Sequence, residues 1–246
     1  MGGSAVVPSD DVLDAVAAVV WAGYGGEEAG TALADMLFGA SNPGGRLPFT
    51  FYHSVQDLPP YYNMSMVGAP HGRTYRYYTG PEPVFRFGEG LSYSKITTFN
   101  VSAAIESKQA LTVTSTSSRE NFKPCDSVIL TATLRNDGPF DADEVTQAYV
   151  RLINLSLPLT TPVHALAAFA RTAVPTGSNV ALRVVLPPRA FAVVDGVARQ
   201  WMLAPATVGI YLGSQQPREE DWAGPQAFQL QLSGSPLPLS KCTDQT

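Results

Sequence analysis

Two hydrophobic periods divide the chain near residue 95. Before it, short apolar runs are broken by Gly, Pro and aromatic residues; after it, apolar and polar positions alternate. In NVALRVVL (179–186), Val180, Leu182, Val184 and Leu186 share one side while Ala181 and Arg183 take the other, the period-2 signature of a half-buried strand. Comparable strand signals run through LTVTSTSS, SVILTATLRNDG, EVTQAYVRLI, TVGIYLGS and AFQLQLS, with Asn136-Asp137-Gly138 and Pro187-Pro188 as turns between such runs. About seven short strands at this spacing predict an antiparallel β-sandwich over residues 96–240.

Residues 1–95 read as α/β in character. GEEAGTALADMLFGA predicts a helix with Glu27 and Glu28 in its first turn, where the macrodipole favours carboxylates. Ala32, Leu33, Met36 and Leu37 make its apolar stripe, and Gly39 suits its C-terminal end. SNPGG is then a turn and RLPFTFY a short strand. Val12 to Trp21 predicts a further helix leading into a strand, capped by Ser9-Asp10. The stretch HGRTYRYYTGPEPVFRFGEGLSYS (71–94) holds six aromatic rings, three Arg and four Gly and follows neither the strand nor the helix period. Such a loop is ordered only if its side chains bury enough area, and each aromatic removes roughly 150–250 Å² from water.

An apolar share of 45% over 246 residues is that of a globular protein with real cores. A net charge of −5 with only 16 Lys and Arg excludes the basic stripe that nucleic acid requires. The longest apolar run, VLDAVAAVVWAGY, is interrupted by Asp14 and falls short of the ~20 residues that cross a bilayer, so no membrane span is expected. The N-terminus has no basic segment before an apolar one, so no signal peptide is expected either. Three Asn-X-Ser sequons, at Asn63, Asn100 and Asn154, nonetheless suit a secretory-pathway protein. Cys125 and Cys242 lie far apart without CxxC spacing; they are either one disulfide of an oxidising compartment or two buried thiols.

Candidate chemistry is sparse. His53, His71 and His164 are isolated from any metal-ligand spacing, and nothing points to a metal or a cofactor. GYGGEEAG lacks the Lys-Ser/Thr of a phosphate loop, and its two Glu would repel a phosphate. No GxSxG elbow is present. Glycoside hydrolysis needs two carboxylates facing one bond. The adjacent acids are Glu27 with Glu28, Asp10 with Asp11, and Glu219, Glu220 and Asp221. Sequence neighbours at a helix start point in different directions, so these read as helix-terminal charges rather than a catalytic pair.

The stretch VVWAGYGGEEAGTALADMLFGASNPGGRLPFTFY, followed by Gly72-Arg73-Thr74-Tyr75-Arg76-Tyr77 and Phe87-Gly88-Glu89-Gly90-Leu91-Ser92-Tyr93, resembles the C-terminal part of glycoside hydrolase family 3, the β-glucosidase and β-xylosidase family. LRNDGPFDADEVTQAYVRL, PVHALAAFARTAV and ATVGIYLGS resemble the fibronectin type III-like module that closes many of its members. The resemblance implies an α+β chain in two parts. A remnant of an α/β sandwich domain with an aromatic crossing segment occupies 1–95, and an antiparallel immunoglobulin/fibronectin III-like sandwich occupies 96–240. In the crossing segment Tyr75, Tyr77, Phe85, Phe87 and Tyr93 become interdomain packing, ahead of any role as a sugar platform. Arg73 and Arg76 are expected to hold interdomain carboxylates or carbonyls, and Gly88 and Gly90 to permit tight turns.

A complete member of the family carries its nucleophilic Asp in a barrel-like domain, in a Ser-Asp-Trp type motif, and its general acid early in the α/β sandwich domain. This chain has no Ser-Asp-Trp, and Ser9-Asp10-Asp11 precedes a helix instead. Neither catalytic carboxylate is therefore expected here, and the chain reads as a fragment, from truncation or from a gene-model error, of a secreted enzyme whose barrel lies outside it. The resemblance implies a retaining, exo-acting enzyme on β-linked glycosides or plant cell-wall saccharides, with GRTYRYY leaning toward the xylosidase and arabinofuranosidase branch. The competing readings are a non-catalytic fibronectin III-like module that stabilises a partner or touches a glycan, and a degenerate chain.

Overall fold

The computed structural model describes residues 10–106, 111–113 and 120–243. The helices are α1 (Asp10–Ala15), α2 (Ala29–Leu37), α3 (Thr74–Tyr77) and α4 (Ser240–Thr243). The strands are β1 (Ile96–Glu106), β2 (Leu111–Val113), β3 (Glu120–Phe122), β4 (Ser127–Asn136), β5 (Ala142–Ile153), β6 (Ala165–Val174), β7 (Asn179–Leu186), β8 (Val193–Asp195), β9 (Gln200–Leu203), β10 (Ala206–Gly213), β11 (Ala227–Leu232) and β12 (Leu237–Pro238). They form a four-stranded sheet in the order β2-β1-β4-β7, a five-stranded sheet in the order β3-β11-β10-β5-β6, and a small sheet β12-β9-β8. Pairing is antiparallel except between β3 and β11.

The alternation in NVALRVVL has the expected outcome: Leu182, Val184 and Leu186 are buried while Ala181 and Arg183 are exposed. Opposite them on β4 stand Ala132, Leu130 and Val128, and from the second sheet Ile210, Leu212, Leu230 and Leu232 close the core. Each such side chain contributes about 1.5–3 kcal/mol by leaving water. At one end of this core the Cys125–Cys242 disulfide ties the turn between β3 and β4 to α4. The last five residues of LTVTSTSS, from 114 on, lie outside the described residues, as does Ser9 of the expected first cap.

The five-stranded sheet is buried on both faces. On β5, Ala148 and Val150 enter the sandwich core, yet Gln147 and Tyr149 on the opposite side are as fully buried. On β10, Ile210 and Leu212 face the core while Tyr211 belongs to a second cluster with Tyr149. What covers this outer face comes from the first 95 residues.

Those residues keep the two-part α+β organisation but depart from individual helix and strand expectations. α1 ends at Ala15 instead of running to Trp21, and Val16, Val19 and Val20 after it are exposed without a strand to join. The β-branched run disfavours helix continuation, and among the described residues no neighbouring strand accepts it. Among the described residues RLPFTFY forms no strand of a sheet; Phe51 makes an isolated antiparallel bridge with Phe85. α2 begins at Ala29, so Glu27 and Glu28 precede it; Glu28 occupies the N-cap with no side-chain hydrogen bond to the helix. Ser, Thr, Asp and Asn fill that role better because their oxygens reach the N2 and N3 amides. No α2 residue is buried, so the stripe of Ala32, Leu33, Met36 and Leu37 has nothing packed over it among the described residues. Gly39 does end the helix, with φ +78° and its N–H donating to the Met36 carbonyl at 3.2 Å.

The disulfide closes a loop with a sequence separation of 117. Replacing both cysteines by Ala should cost about 2–5 kcal/mol by freeing the unfolded chain. The measurement is the urea midpoint, and an unchanged midpoint would remove the bond from the list of stabilising contacts.

Candidate functional site

The crossing segment docks on the outer face of β5 and β10 through one aromatic stack and one charged clamp. Tyr75 in α3 stacks on Phe87 with ring centroids 4.1 Å apart and meets Tyr149 edge-on at 6.2 Å. Its hydroxyl accepts the Leu166 N–H at 3.2 Å. Tyr149 donates to Gln147 Oε1 at 2.6 Å, and Gln147 Nε2 donates to the carbonyls of Gly88 and Ser214 at 2.9 Å each. Gly88 is obligatory here: its φ is +77°, and a Cβ would lie 2.2 Å from Gln147 Oε1. At Gly90 a Cβ would stand 2.5 Å from the Gly45 carbonyl.

The clamp is Arg46, on the turn Asn42-Pro43-Gly44-Gly45-Arg46. Its guanidinium donates to Glu144 Oε2 at 2.9 Å and to the Ser214 carbonyl at 3.1 Å. Both side chains are nearly sealed from solvent. Burial pushes the Glu144 carboxyl up, and the Arg46 charge only partly opposes this. Asn42 completes the junction, donating to the Asp141 carbonyl and accepting from Ser92 and the Tyr93 N–H.

Beside the stack lies a cleft of about 160 Å³. Its walls include Tyr75, Tyr78, Trp222 and His164, and its rim carries Glu82 and Glu219. Trp222 is held by the Arg151 guanidinium 4.3 Å above its ring, and Arg151 is paired with Glu219 at 2.8 Å. Arg86, buried, pairs with Glu82. His164 is buried, and desolvation lowers its pKa to about 4; the Arg151 and Arg86 charges add to this and Glu219 opposes it. Three buried polar atoms of the lining, Arg86 Nη1, His164 Nε2 and Gln216 Oε1, have no hydrogen-bond partner among the described residues and are sealed from solvent, while the Thr50 side chain hydrogen-bonds Tyr52.

Residues singled out in the sequence are distributed unevenly over this site. Tyr75, Gly88 and Gly90 stand at the junction. Arg73 does not reach across it; its Nη2 donates to the carbonyls of Pro59, Pro60 and Asn63, because the 59–63 turn folds back over it. Arg76 touches the sandwich through its backbone, whose carbonyl accepts the Val163 N–H at 2.7 Å, while its guanidinium lies over Tyr77. The charge across the junction is that of Arg46, a residue quoted only as part of a turn. An Arg following Pro-Gly-Gly was its one visible signal; Glu144, 98 residues on, could not be paired with it from sequence. Asn100 and Asn154 are exposed, both with positive φ, and Asn63 is half-buried with its Oδ1 accepting the Ser65 N–H. Glu27 and Glu28 are exposed at the start of α2, and the cleft lining includes neither.

Residues 1–93 match the glycosyl hydrolase family 3 C-terminal domain, and residues 144–216 match the fibronectin type III-like domain. The chain belongs to glycoside hydrolase family 3, as its C-terminal domain joined to a fibronectin type III-like domain. It is 30% identical over 220 residues to Probable beta-glucosidase M of Aspergillus oryzae, covering 80% of this chain and 28% of that protein. Over 85 residues it is 51% identical to Beta-xylosidase/alpha-L-arabinofuranosidase 2 of Medicago sativa subsp. varia, covering 32% of this chain and 11% of that one. A solved GH3 exo-beta-xylosidase shares the fold with a TM-score of 0.66 at 23% identity, over 87% of this chain and 27% of the other. The chain thus spans less than a third of the length of these relatives.

Arg46→Ala leaves Glu144 buried without its cation and should cost about 3–5 kcal/mol, whereas Arg46→Met with Glu144→Leu should cost much less. Urea unfolding of both variants checks this; equal losses would mean the clamp acts by shape alone. His164 gives a pH signature of opposite origin. Its folded pKa lies below the ordinary 6.5, so the unfolded chain binds more protons between about pH 6.5 and 4. Its contribution is fully present above that window and is lost as pH falls through it, by about 3 kcal/mol in total. Glu144 acts in the other sense, so the test is the difference between the parent and His164→Phe, whose stability should fall less steeply on acidification.

Proposed function

We propose that this chain is the C-terminal portion of an exo-acting β-glycosidase, a hydrolase of O-glycosyl bonds, and serves in it as scaffold without catalytic carboxylates of its own. The observation that carries the reading is where the acidic side chains go. Glu144 pairs with Arg46, Glu219 with Arg151, Asp143 with Arg171, Asp137 with Arg135, and Glu82 with Arg86. A glycosidase needs an acid and a nucleophile or base roughly 5–10 Å apart across an open groove, the acid with a raised pKa. Glu144, whose carboxyl is pushed up by burial, is covered by Arg46 rather than open to a groove.

Substrate class follows the relatives, whose names are those of β-glucosidases and β-xylosidases, with 51% identity over 85 residues to the xylosidase/arabinofuranosidase against 30% over 220 residues to the glucosidase. The substrate of the parent enzyme is accordingly a β-linked glycoside of plant cell-wall type. The barrel domain that supplies the carboxylates is the partner of the first part, and the exposed Phe38, Leu37 and Val20 suit an apolar contact with it. A secreted or secretory-pathway setting is supported by the disulfide and by the exposed sequon residues Asn100 and Asn154.

The test is hydrolysis of 4-nitrophenyl β-D-xyloside and β-D-glucoside by the purified 246-residue chain beside a full-length relative. The relative should turn over at least one of them and the chain neither. Turnover by the chain would overturn the scaffold role and direct mutagenesis to Glu27 and Glu28.

A further inference from the structure

The three Asn-X-Ser sequons stand in two different surroundings. Asn100 lies in the bulge of β1 where its pairing with β4 slips between Phe99 and Ser102, and Asn154 follows the end of β5. Both are exposed, and both take a left-handed φ, 51° and 53°. A bulge bends its strand and re-aims a side chain, and Asn is one of the few residues that accept the left-handed conformation. The serines that complete these sequons belong to the sandwich surface. Ser102 Oγ and Thr131 Oγ1 share a hydrogen bond at 2.6 Å, and Thr131 stands opposite Arg183 across the ladder, on the polar face of the four-stranded sheet. Ser156 is exposed, its N–H donating to the Pro205 carbonyl at 2.9 Å.

Asn63 is engaged at each of its polar groups. Its N–H donates to the Pro60 carbonyl at 2.8 Å, its carbonyl accepts from Arg73 Nη2 at 2.8 Å, and its Oδ1 accepts the Ser65 N–H at 2.9 Å. A Cβ on Gly68 would stand 2.7 Å from Asn63 Nδ2, so the amide nitrogen is packed against that backbone. Around it Tyr61, Tyr62 and Met64 are 96%, 84% and 88% exposed, an apolar patch of the kind a neighbouring protein surface covers. A hydrated, branched glycan on Asn63 would push Gly68 and Arg73 apart and wet that patch, whereas on Asn100 or Asn154 it displaces only water. We propose that Asn100 and Asn154 are the N-glycosylation sites of this chain and that Asn63 is not one. The donor is a lipid-linked diphospho-oligosaccharide. A bond forms between Asn Nδ2 and the sugar C1 as the C1–O bond to the diphosphate breaks; the lipid diphosphate leaves with the electron pair, and one amide proton passes to solvent. Where transfer precedes folding, a glycan on Asn63 keeps the Arg73 clasp from closing, and that molecule stays out of the folded population. The proposal rests on the secretory setting given above and adds to it which side of the parent enzyme is wet: the sandwich, not the turn that Arg73 holds.

The full chain is expressed behind a cleavable secretion leader in a yeast host, and folded molecules are selected by their Cys125–Cys242 disulfide from the medium and the reticulum lumen alike. Peptide-N-glycosidase F in H₂¹⁸O turns each glycosylated Asn into a labelled aspartate, which peptide mass spectrometry locates. Label is expected at positions 100 and 154 and not at 63. Ser102→Ala and Ser156→Ala leave the left-handed Asn in place and should each remove one glycan, read as one step of gel mobility; Ser65→Ala should remove none. Because the leader delivers the chain, failure of the secretory setting alone would leave this pattern intact. Label at position 63 in the folded molecules, or its absence from either 100 or 154, overturns the proposal.

Discussion

The structure depends on burying the outer face of its five-stranded sheet. A sandwich sheet ordinarily packs one face and wets the other, yet here Tyr149 and Tyr211 turn aromatic rings outward, away from the core that Ala148, Val150, Ile210 and Leu212 fill. Tyr75 and Phe87 cover those rings, and the crossing segment needs no regular secondary structure because the sheet supplies its surface. Gly88 then has to be glycine, since the Gln147 amide that anchors the segment occupies the space of a side chain.

Charge follows burial. Bringing the 42–46 turn down onto β5 removes Glu144 and Arg46 from water together, and the pair persists because each is the other's compensation. The same docking traps His164 between Arg86 and Arg151, where the neutral imidazole is the favoured form at physiological pH. Interdomain adhesion and the polar cleft are thus two results of one contact between the crossing segment and the outer face of the sheet.

The two parts of the chain differ in how completely they are buried. The fibronectin type III-like sandwich has a complete core closed by a disulfide. In the first part α2 and α3 have no buried residue, and Tyr24, Phe38, Tyr61 and Tyr62 are exposed.

The inward faces of strands were legible in the sequence, because alternation at period 2 states which side chains face the core whatever the partner: Leu182, Val184 and Leu186 needed nothing more, although β7 pairs with the distant β4. The motifs around Gly72-Arg73-Thr74-Tyr75 and Phe87-Gly88-Glu89-Gly90 were likewise enough to name the family. The helix and strand expected over 12–21 and the strand over 46–52 failed because local propensity cannot supply a neighbouring strand, and a ladder is a tertiary object. The tertiary structure alone decided that Arg46 rather than Arg73 or Arg76 crosses the junction, that Cys125 meets Cys242, and that Thr50, Arg86, His164 and Gln216 share one cleft. Each of these is a meeting of residues far apart in the chain, and only the burial of one surface against another sets their distance.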